Sequence, residues 1–510
     1  YSTEADSRAT NFWEIQKQVV ASLQTLRVAN EERKERFFDA APWDILIVDE
    51  AHHLNADEKS GPTLGYEFVR EMVDRKHVSS MVFFTGTPHR GKDYGFLSLL
   101  RLLDPDRFGP DRPMLEQQPY LRDIMIRNNK YTVTDMDGSR LFQEPNVTSK
   151  EYAYSEAEAA FYAMLTEFIE TGKAYASSLG HTHHNAVILV IIAMQKLASS
   201  SVAAIRSALA RRLDMIMAQR ERLGGVLQVL DQYERLEDDQ EDDVLNDLLE
   251  ASDIWDSHLR LMEDEAARLR DLIEAADAVG EETKIGEIVQ LLRDRFAGRS
   301  VLLFTEYKAT QSLVMSMLMQ EFGDASTTFI NGDNAARNVT GSDGVARDIH
   351  ERRTAATNLF TSGSARFLVS TEAGGEGIDL QENCHTLINV DLPWNPMRLH
   401  QRVGRLNRYG QRRQVDIVNF LNPATVESRI WEKLNGYIER IMATQSHAMD
   451  KPEDLRQFIL GMDAPSTYRE LFADAHTVPV ESLDDWVEEK LTAADAIDTV
   501  VDLIGSCSAF

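Results

Sequence analysis

Cysteines and long apolar runs are both scarce in this sequence. Its 510 residues include only two cysteines, Cys384 and Cys507, which is too few for a disulfide framework and fits a reducing cytosol. The longest apolar run, AVILVIIAM at Ala186–Met194, is far shorter than the roughly 20 residues that a membrane-spanning helix needs. We therefore predict a cytoplasmic protein with no membrane partner, in which this run is a buried helix segment.

Positive charge is also in deficit. Lys and Arg number 54 against 83 Asp and Glu, and the formal net charge is −29. This argues against a protein that coats nucleic acid electrostatically, because phosphate binding usually leaves a basic footprint. The charge is uneven, however: Asp231–Glu250 holds ten acids and one arginine, whereas Asp391–Arg413 holds six arginines and one acid. A local basic face on an acidic protein remains compatible with DNA binding.

A complete phosphate loop is the third absence. The pattern GxxxxGK[ST] cradles nucleotide phosphates with backbone N–H groups and places a hydroxyl on Mg²⁺. Gly86–Lys92 matches GxxxxGK, but Asp93 replaces the hydroxyl residue and Pro88 removes one N–H, so we predict that it is not a phosphate loop. The chain opens on Tyr1, within what reads as a domain already under way. We expect a fragment whose phosphate loop precedes Tyr1.

Composition divides the chain into four regions. The first reads as α/β, because short apolar runs such as Trp43–Val48 and Met81–Phe84 are typical of parallel strands buried on both faces, and QVVASLQTL within Phe12–Arg27 is also strand-like. The second is rich in Ala, Leu, Glu and Arg, lacks proline, and is predicted to be helical. The predicted regions are a first lobe at 1–150, a helical insertion at 151–280, a second α/β lobe at 281–440 and an acidic helical tail at 441–510.

The helical insertion contains one start signal and two ambiguous stretches. Ser155 is followed three residues later by Glu158, which is the capping-box signature of a helix start. The acidic run 234–247 is a solvated helix face or a loop, with a surface that mimics DNA or docks a basic partner as the alternative. The HTHH tract at 181–184 lacks a partner cluster for a metal, so we predict a polar helix end there.

Strand-like runs alternate with helical stretches in the second α/β lobe, as in a parallel sheet. The runs are VLLFTEY, TFING, FLVST, TLINVDL and VDIVNFL. The predicted fold class is α/β, with two parallel-sheet lobes, the first one incomplete, separated by a long helical insertion and followed by a helical tail.

Two acidic residues end the apolar run ILIVDE. A carboxylate at the carboxyl end of a parallel strand lies where open α/β sheets bind ligands. Asp49 is therefore a candidate Mg²⁺ ligand, acting through water, and Glu50 is a candidate base that orients and deprotonates an attacking water. His52 can bond to the TGTPHR turn, whose Thr85 and Thr87 offer hydroxyls back to the carboxylates. For each stretch alone, a strand that ends in an ordinary turn or helix start is the alternative.

A glycine-rich turn, STEAGGEGIDL, follows the strand-like run FLV. Gly375 and Gly377 let the backbone come close to a phosphate or a neighbouring loop. Glu376 and Asp379 can hold a ribose hydroxyl or the arginines of a facing segment. By itself such a turn is weak evidence for a site.

The string QRVGRLNRYGQ is the most informative part of the sequence. Arg405 and Arg408 are three apart, which places them on one face of a helix, behind the strand-like run His385–Val390. Arginines held this way can reach a nucleotide's terminal phosphate and stabilise the charge that develops during phosphoryl transfer. For the string alone, a basic helix end is the alternative.

Taken in order, these segments resemble motifs II to VI of the superfamily 2 helicase-like ATPases. The strings are DEAHH, TGTP, FTEY, STEAGGEGIDL and DLPWNP with QRVGRLNRYGQ. The resemblance extends over about residues 15–135 and 284–440. The match is most similar to the Swi/Snf-type branch of DNA translocases, because WNP, RYGQ and the later TVESRIWEKL are habits of that branch. Bacterial remodellers and phage-defence ATPases look nearer than nucleosome remodellers.

The resemblance implies two RecA-like lobes, an ATP site between them with Mg²⁺ on Asp49, and a groove that tracks double-stranded DNA. It implies arginine fingers at Arg405 and Arg408, and a contact from Gln401 to the γ-phosphate or to water. The implied nucleic-acid contacts are at Ser22, Ser370, Thr371 and Trp394. The long helical insertion is the expected site for a protein partner.

Two further readings stay open at this stage. A strand-separating DNA or RNA helicase would also carry DEAH. A fragment without a phosphate loop would be inactive alone and could serve only to bind nucleic acid or protein. Phage defence, repair and polymerase recycling all remain possible pathways.

Overall fold

The structure is a computed structural model with two compact units. The first comprises residues 1–127, 441–464 and 494–510, and the second comprises 128–440 and 465–493. The residues that the structure describes are 11–23, 26, 31–57, 61–85, 93–126, 133–138, 140–177, 181–218, 261–262, 264–371, 378–394, 396–423, 425, 428–431 and 486.

The first unit contains short strands and helices. Its strands are β1 (Trp43–Val48), β2 (Ala56–Asp57), β3 (Gly61–Pro62) and β4 (Val78–Phe83). Its α-helices are α1 (Phe12–Ile15), α2 (Glu31–Phe38), α3 (Leu64–Asp74), α4 (Asp93–Leu103), α5 (Met114–Gln117) and α6 (Leu121–Ile124).

The strands β1 and β4 form a parallel pair, with Leu46 opposite Met81, so the two apolar runs are strands as predicted. Side chains of α3 and α4 pack against one face of this pair. On the opposite face Ile45 and Ile47 are more than half exposed, so burial on both faces is not found among the described residues.

The predicted strand in QVVASLQTL is wrong for the part that the structure describes. Residues 18–22 lie in no regular element, and Leu23 and Leu26 are helical. The side chain of Val20 is fully exposed. An apolar run without a neighbouring strand to accept its hydrogen bonds cannot be a strand, whatever its composition.

The second unit combines a group of helices with a sheet. Its strands are β5 (Asn146–Glu151), β6 (Val301–Phe304), β7 (Thr327–Ile330), β8 (Ala335–Thr340), β9 (Ala346–His350), β10 (Phe367–Ser370), β11 (Thr386–Asn389) and β12 (Asp416–Leu421). Its α-helices are α7 (Glu156–Ala176), α8 (His181–Ser200), α9 (Val202–Ala218), α10 (Glu265–Asp277), α11 (Thr283–Asp294), α12 (Lys308–Phe322), α13 (Arg353–Thr361) and α14 (Pro396–Gly404).

The helices α7 to α10 share one apolar core, to which Tyr307 of the sheet region also contributes. The capping box is confirmed at the start of α7: the Ser155 side chain accepts from the Glu158 N–H, and the Glu158 side chain accepts from the Ser155 N–H. The predicted buried helix segment is confirmed in α8, where Val187 and Ile191 are fully buried. No helix among the described residues is long and apolar enough to span a membrane.

The sheet has six parallel strands in the order β5-β12-β11-β6-β10-β7. All five runs predicted in the second lobe are strands, so the α/β parallel-sheet fold is confirmed. Apolar side chains cover both faces: Leu303 packs with α11 and α12 on one side, and Leu302 packs with α13 on the other. The edge strand β5 comes from residues 146–151, and β8 and β9 form a separate antiparallel hairpin.

Candidate active-site segments

The DEAH segment leaves the carboxyl end of β1. Asp49 and Glu50 are both exposed, and the Glu50 N–H donates to the Asp49 Oδ1 at 3.0 Å. Glu50 has a φ of 48°, a left-handed conformation that is uncommon outside glycine. The short 3₁₀ helix Ala51–His53 follows at once and begins with a fully buried Ala51. The backbone turn therefore presents two carboxylates to solvent at the edge of the sheet.

The ends of β1 and β4 are tied together at this edge. The Phe84 N–H donates to the Val48 carbonyl at 2.8 Å, and the Ala51 N–H donates to the Phe84 carbonyl at 2.9 Å. Thr85, half-buried, therefore begins beside the DEAH turn. Thr87, the side chain of His52 and the GxxxxGK match lie outside the residues that the structure describes.

The arginine segment differs from its prediction in one respect. The helix α14 ends at Gly404, so Arg405 and Arg408 lie in the turns that follow it and not on one helical face. The Arg405 N–H donates to the Arg402 carbonyl and the Leu406 N–H to the Val403 carbonyl, both at 3.1 Å, so the last turn tightens to three-residue bonds. Gly410 then has a φ of 95°, and the chain turns away. Three-residue spacing could not anticipate this end.

The predicted site residues of this segment differ in how far their side chains are exposed to solvent. Gln401 is exposed on α14, and Arg405 is half-buried. The Arg408 Nη1 lies 2.7 Å from the Asp379 Oδ1, with the two side chains 41% and 71% exposed. This contact matches the prediction that Asp379 can hold an arginine. Gly375, Glu376 and Gly377 lie outside the described part of the chain.

Sequence reasoning missed Arg402, which is buried. Its guanidinium donates to the Asn389 Oδ1 at 3.1 Å and to the Asp391 carbonyl at 2.7 Å, and it lies 3.4 Å from the Asp391 Oδ1. These contacts fasten α14 to the end of β11. The signal was present, because Asp391 is the one acid among the six arginines of Asp391–Arg413.

The predicted nucleic-acid contacts occupy different environments. Ser22 is exposed. Ser370 and Thr371 are buried, and the Ser370 hydroxyl donates to the Thr371 carbonyl at 3.0 Å. Trp394 is also buried, with the Lys196 Nζ 5.4 Å from its ring centroid. In this geometry Ser22 is the accessible one of the four, and the nucleic-acid role of all four stays a prediction.

Two family models match the chain, one in each α/β part. The Type III restriction enzyme, res subunit, model matches residues 3–90, and the Helicase conserved C-terminal domain model matches residues 283–410. The first match contains the DEAH segment, and the second runs from α11 to the end of the arginine turns.

Relatives match across both parts. "Uncharacterized ATP-dependent helicase YqhH" of Bacillus subtilis (strain 168) is 27% identical over 443 residues, which is 84% of this chain and 64% of that protein. "RNA polymerase-associated protein RapA" of Yersinia enterocolitica is 24% identical over 442 residues, which is 82% of this chain and 39% of that protein. The chain thus spans less than two thirds of the length of either relative.

Solved structures give weaker likenesses. The Pyrococcus furiosus Hef helicase domain has a TM-score of 0.41 at 13% identity, covering 79% of this chain and 80% of that one. The Sulfolobus solfataricus SWI2/SNF2 ATPase core in complex with dsDNA has a TM-score of 0.31 at 16% identity, covering 90% and 75%. The two family models and the relatives carry the assignment without them: both α/β parts of the chain are of the superfamily 2 helicase-like type, and the Swi/Snf branch stays a prediction from the sequence pattern.

Proposed function

We propose that this chain forms part of an ATP-hydrolysing motor that moves along double-stranded DNA. One observation carries the proposal: Arg405 and Arg408 follow directly on a helix that Arg402 fastens to the carboxyl end of β11. Ligands of open α/β sheets bind at this edge. An arginine there, held by its neighbours but not itself enclosed, is suited to a phosphoryl group in transfer.

The acidic pair supplies the other half of the proposed chemistry. The exposed oxygens of Asp49 fit Mg²⁺, which prefers oxygen ligands and keeps part of its water shell. When bound, Mg²⁺ would offset the negative charge of the nucleotide phosphates. Glu50 would accept a proton from the attacking water, and Arg405 would stabilise the charge that develops as the phosphoryl group leaves. Gln401 would orient the water or the γ-phosphate.

Double-stranded DNA is the proposed track. The support is the Swi/Snf-type sequence pattern around the arginines, together with the exposure of Arg412 and Arg413 at the end of the same segment. Positively charged side chains bind phosphates without reading sequence, as a moving protein requires. We place the protein in the cytoplasm on the cysteine and hydropathy arguments, and the helical insertion is the proposed surface for a protein partner.

The test is the steady-state rate of ATP hydrolysis by the full-length protein, since this sequence contains no GxxxxGK[ST] loop. The rate is measured alone and with double-stranded DNA, single-stranded DNA or RNA. The proposal requires strong stimulation by duplex DNA. An equal response to all three polymers would remove the duplex track, and no turnover under any condition would leave a protein that only binds.

A strand-separating helicase is the second candidate, favoured by the name of the Bacillus subtilis relative, an ATP-dependent helicase. A forked duplex with one labelled strand distinguishes the two. Release of that strand in the presence of ATP supports the helicase. A translocase on duplex DNA would instead displace a third strand from a triplex and leave the fork intact.

A further inference from the structure

The carboxylate of Asp391 is a buried junction of three parts of the second unit. It accepts a hydrogen bond from the Thr305 hydroxyl at 2.5 Å, beside the end of β6, and one from the Ser200 hydroxyl at 2.6 Å. The backbone N–H of Glu306 donates to the same carboxylate at 3.1 Å. The Arg402 Nη2 of α14 lies 3.4 Å from the Oδ1 of the same carboxylate. One acidic side chain therefore joins the sheet, the helical insertion and the arginine-bearing helix.

The contribution of the insertion comes from the break between α8 and α9. Ser200 ends α8 and Ser201 lies outside both helices. Both hydroxyls contact the Thr310 hydroxyl of α12 at 2.7 Å. The Nζ of the buried Lys284 donates to the Ser200 carbonyl. The break is thus held in place by polar contacts on several sides.

Two further charged groups, Lys284 and Glu282, are buried at this junction. Burial lowers the pKa of Lys284, and the charges of Asp391, Glu282 and Glu158 act against that shift. Burial likewise raises the pKa of Glu282, whose carboxylate accepts from the Ala203 N–H at the start of α9. Each charge here is costly to bury and is offset by its neighbours, so moving one group forces the others to rearrange.

Few residues separate Asp391 from Arg405 in this junction. The Arg405 N–H donates to the Arg402 carbonyl at 3.1 Å, so Arg405 stands one turn beyond the residue that Asp391 holds. While this turn is intact, a shift of α14 moves the backbone of Arg405 with it. Arg402 contacts both the carbonyl and the carboxylate of Asp391, so a displacement of Asp391 reaches Arg405 through these two contacts and the turn that follows them.

We propose that Asp391 is a positioning residue, through which the Ser200–Ser201 break of the helical insertion sets the placement of Arg405. For its effect on catalysis the proposal rests on the proposed ATP hydrolysis. A partner that binds the insertion and shifts the break would then adjust the motor without contacting the nucleotide.

The test uses Ser200→Ala, which removes the hydroxyl contacts of Ser200 with Asp391 and Thr310 and keeps the contacts between Asp391 and Arg402. Hydrogen–deuterium exchange of the full-length protein, without nucleotide, is followed in peptides spanning 396–408. We expect exchange there to rise about tenfold, which is the effect of losing one hydrogen bond to a charged group. Peptides from β6 and β10 serve as internal references and should keep their wild-type rates.

The matched control is Ser207→Ala. Ser207 is a half-buried serine of α9 whose hydroxyl donates to the Ala203 carbonyl of its own helix. It should leave residues 396–408 unchanged. If Ser200→Ala alters exchange only around residues 196–206, or alters every peptide equally, the break merely stabilises the fold and the proposal is wrong.

Turnover provides a second, separate readout. Ser200→Ala should lower kcat for ATP about tenfold and leave KM within about twofold, because an arginine finger acts mainly in the transition state. The isosteric Asp391→Asn should give the same split with a larger loss. A wild-type protein without ATP turnover would sink the proposed function, whereas the exchange result would still decide whether the break and residues 396–408 are coupled. Normal kcat beside raised exchange would sink the positioning role alone.

Discussion

At the scale of single residues, Cys384 shows how burial fixes chemistry. Its thiol is enclosed beside β11 and is hydrogen-bonded to the Thr386 carbonyl at 3.3 Å. Burial raises its pKa from 9.0 to about 12. The neutral thiol is therefore retained on folding, and the folded state loses stability as the pH rises from 9 toward 12, where the unfolded thiol ionises.

This predicts that Cys384 is inert to iodoacetamide in the native protein. Only the thiolate reacts, and a pKa near 12 leaves about a thousandth of the thiolate present in the unfolded chain at pH 8. The measurement is the alkylation rate with and without urea, in a Cys507→Ser background so that one thiol reports. Equal rates in both conditions would mean that the site is open.

The arginines show what spacing alone can and cannot predict. The motif order led to Arg405 and Arg408 from the sequence, and both remain accessible in the fold. It did not single out Arg402, next to Gln401, as the arginine that is buried against Asn389. Whether an arginine of this segment is buried or exposed depends on how α14 packs against the end of β11. A pattern along the sequence does not contain this tertiary contact.

At the scale of elements, the helical insertion is held by a buried ion pair between α9 and α10. The Arg212 Nε donates to the Glu265 Oε1 at 2.7 Å, and both side chains are almost fully enclosed. The Leu261 N–H also donates to Glu265 at 2.9 Å. Removing one partner of such a pair leaves an uncompensated buried charge.

We expect Glu265→Ala to lower the free energy of unfolding by about 3–5 kcal/mol. The same two helices provide the control, an exposed pair between Arg206 and Asp277 at 2.9 Å. Asp277→Ala should cost less than about 1 kcal/mol, because exposed ion pairs are weak. Urea unfolding followed by circular dichroism measures both. Similar losses for the two variants would show that burial of the first pair has no energetic consequence.

Helices and strands were predicted correctly where local sequence specifies them. The predictions were wrong where the structure depends on contacts with another segment of the chain. The capping box at Ser155 and the apolar runs of the second lobe specify a helix start and five parallel strands locally. The run around Val20 has strand-like composition but no strand beside it. The end of α14 at Gly404 depends on how the following turns return to the sheet, which no period in the sequence reveals.

At the scale of the whole molecule, the negative net charge works against the proposed binding of double-stranded DNA. The net charge is −29, and the basic segment is less available than its six arginines indicate. Arg398 and Arg402 are buried, and Arg408 is paired with Asp379. Arg412 and Arg413 are the exposed pair in this segment.

The predicted division into four regions stays a prediction, although β5 pairs within the sheet of the second unit.

This availability predicts the salt dependence of DNA binding. Replacing Arg412 and Arg413 with alanine should weaken duplex binding and reduce the slope of log affinity against log salt by about 2, one for each lost phosphate contact. Fluorescence anisotropy across a salt series measures the slope. The control replaces Arg337 and Arg352, which are exposed in the same unit but outside the basic segment. Matching slopes for both double variants would place the DNA elsewhere.

Arg405 is proposed to complete an ATP-hydrolysing site, and this role can be measured by comparing two proteins. The rate of ATP hydrolysis is measured for the full-length wild type and for Arg405→Ala at saturating duplex DNA, with the melting temperature of each as a check on folding. An arginine finger contributes roughly 10³–10⁵ in rate in other nucleotide hydrolases. We predict duplex-stimulated turnover in the wild type and a loss of at least about 10³-fold in a variant that still folds. A folded Arg405→Ala protein that hydrolyses ATP at the wild-type rate would show that Arg405 takes no part in the hydrolysis.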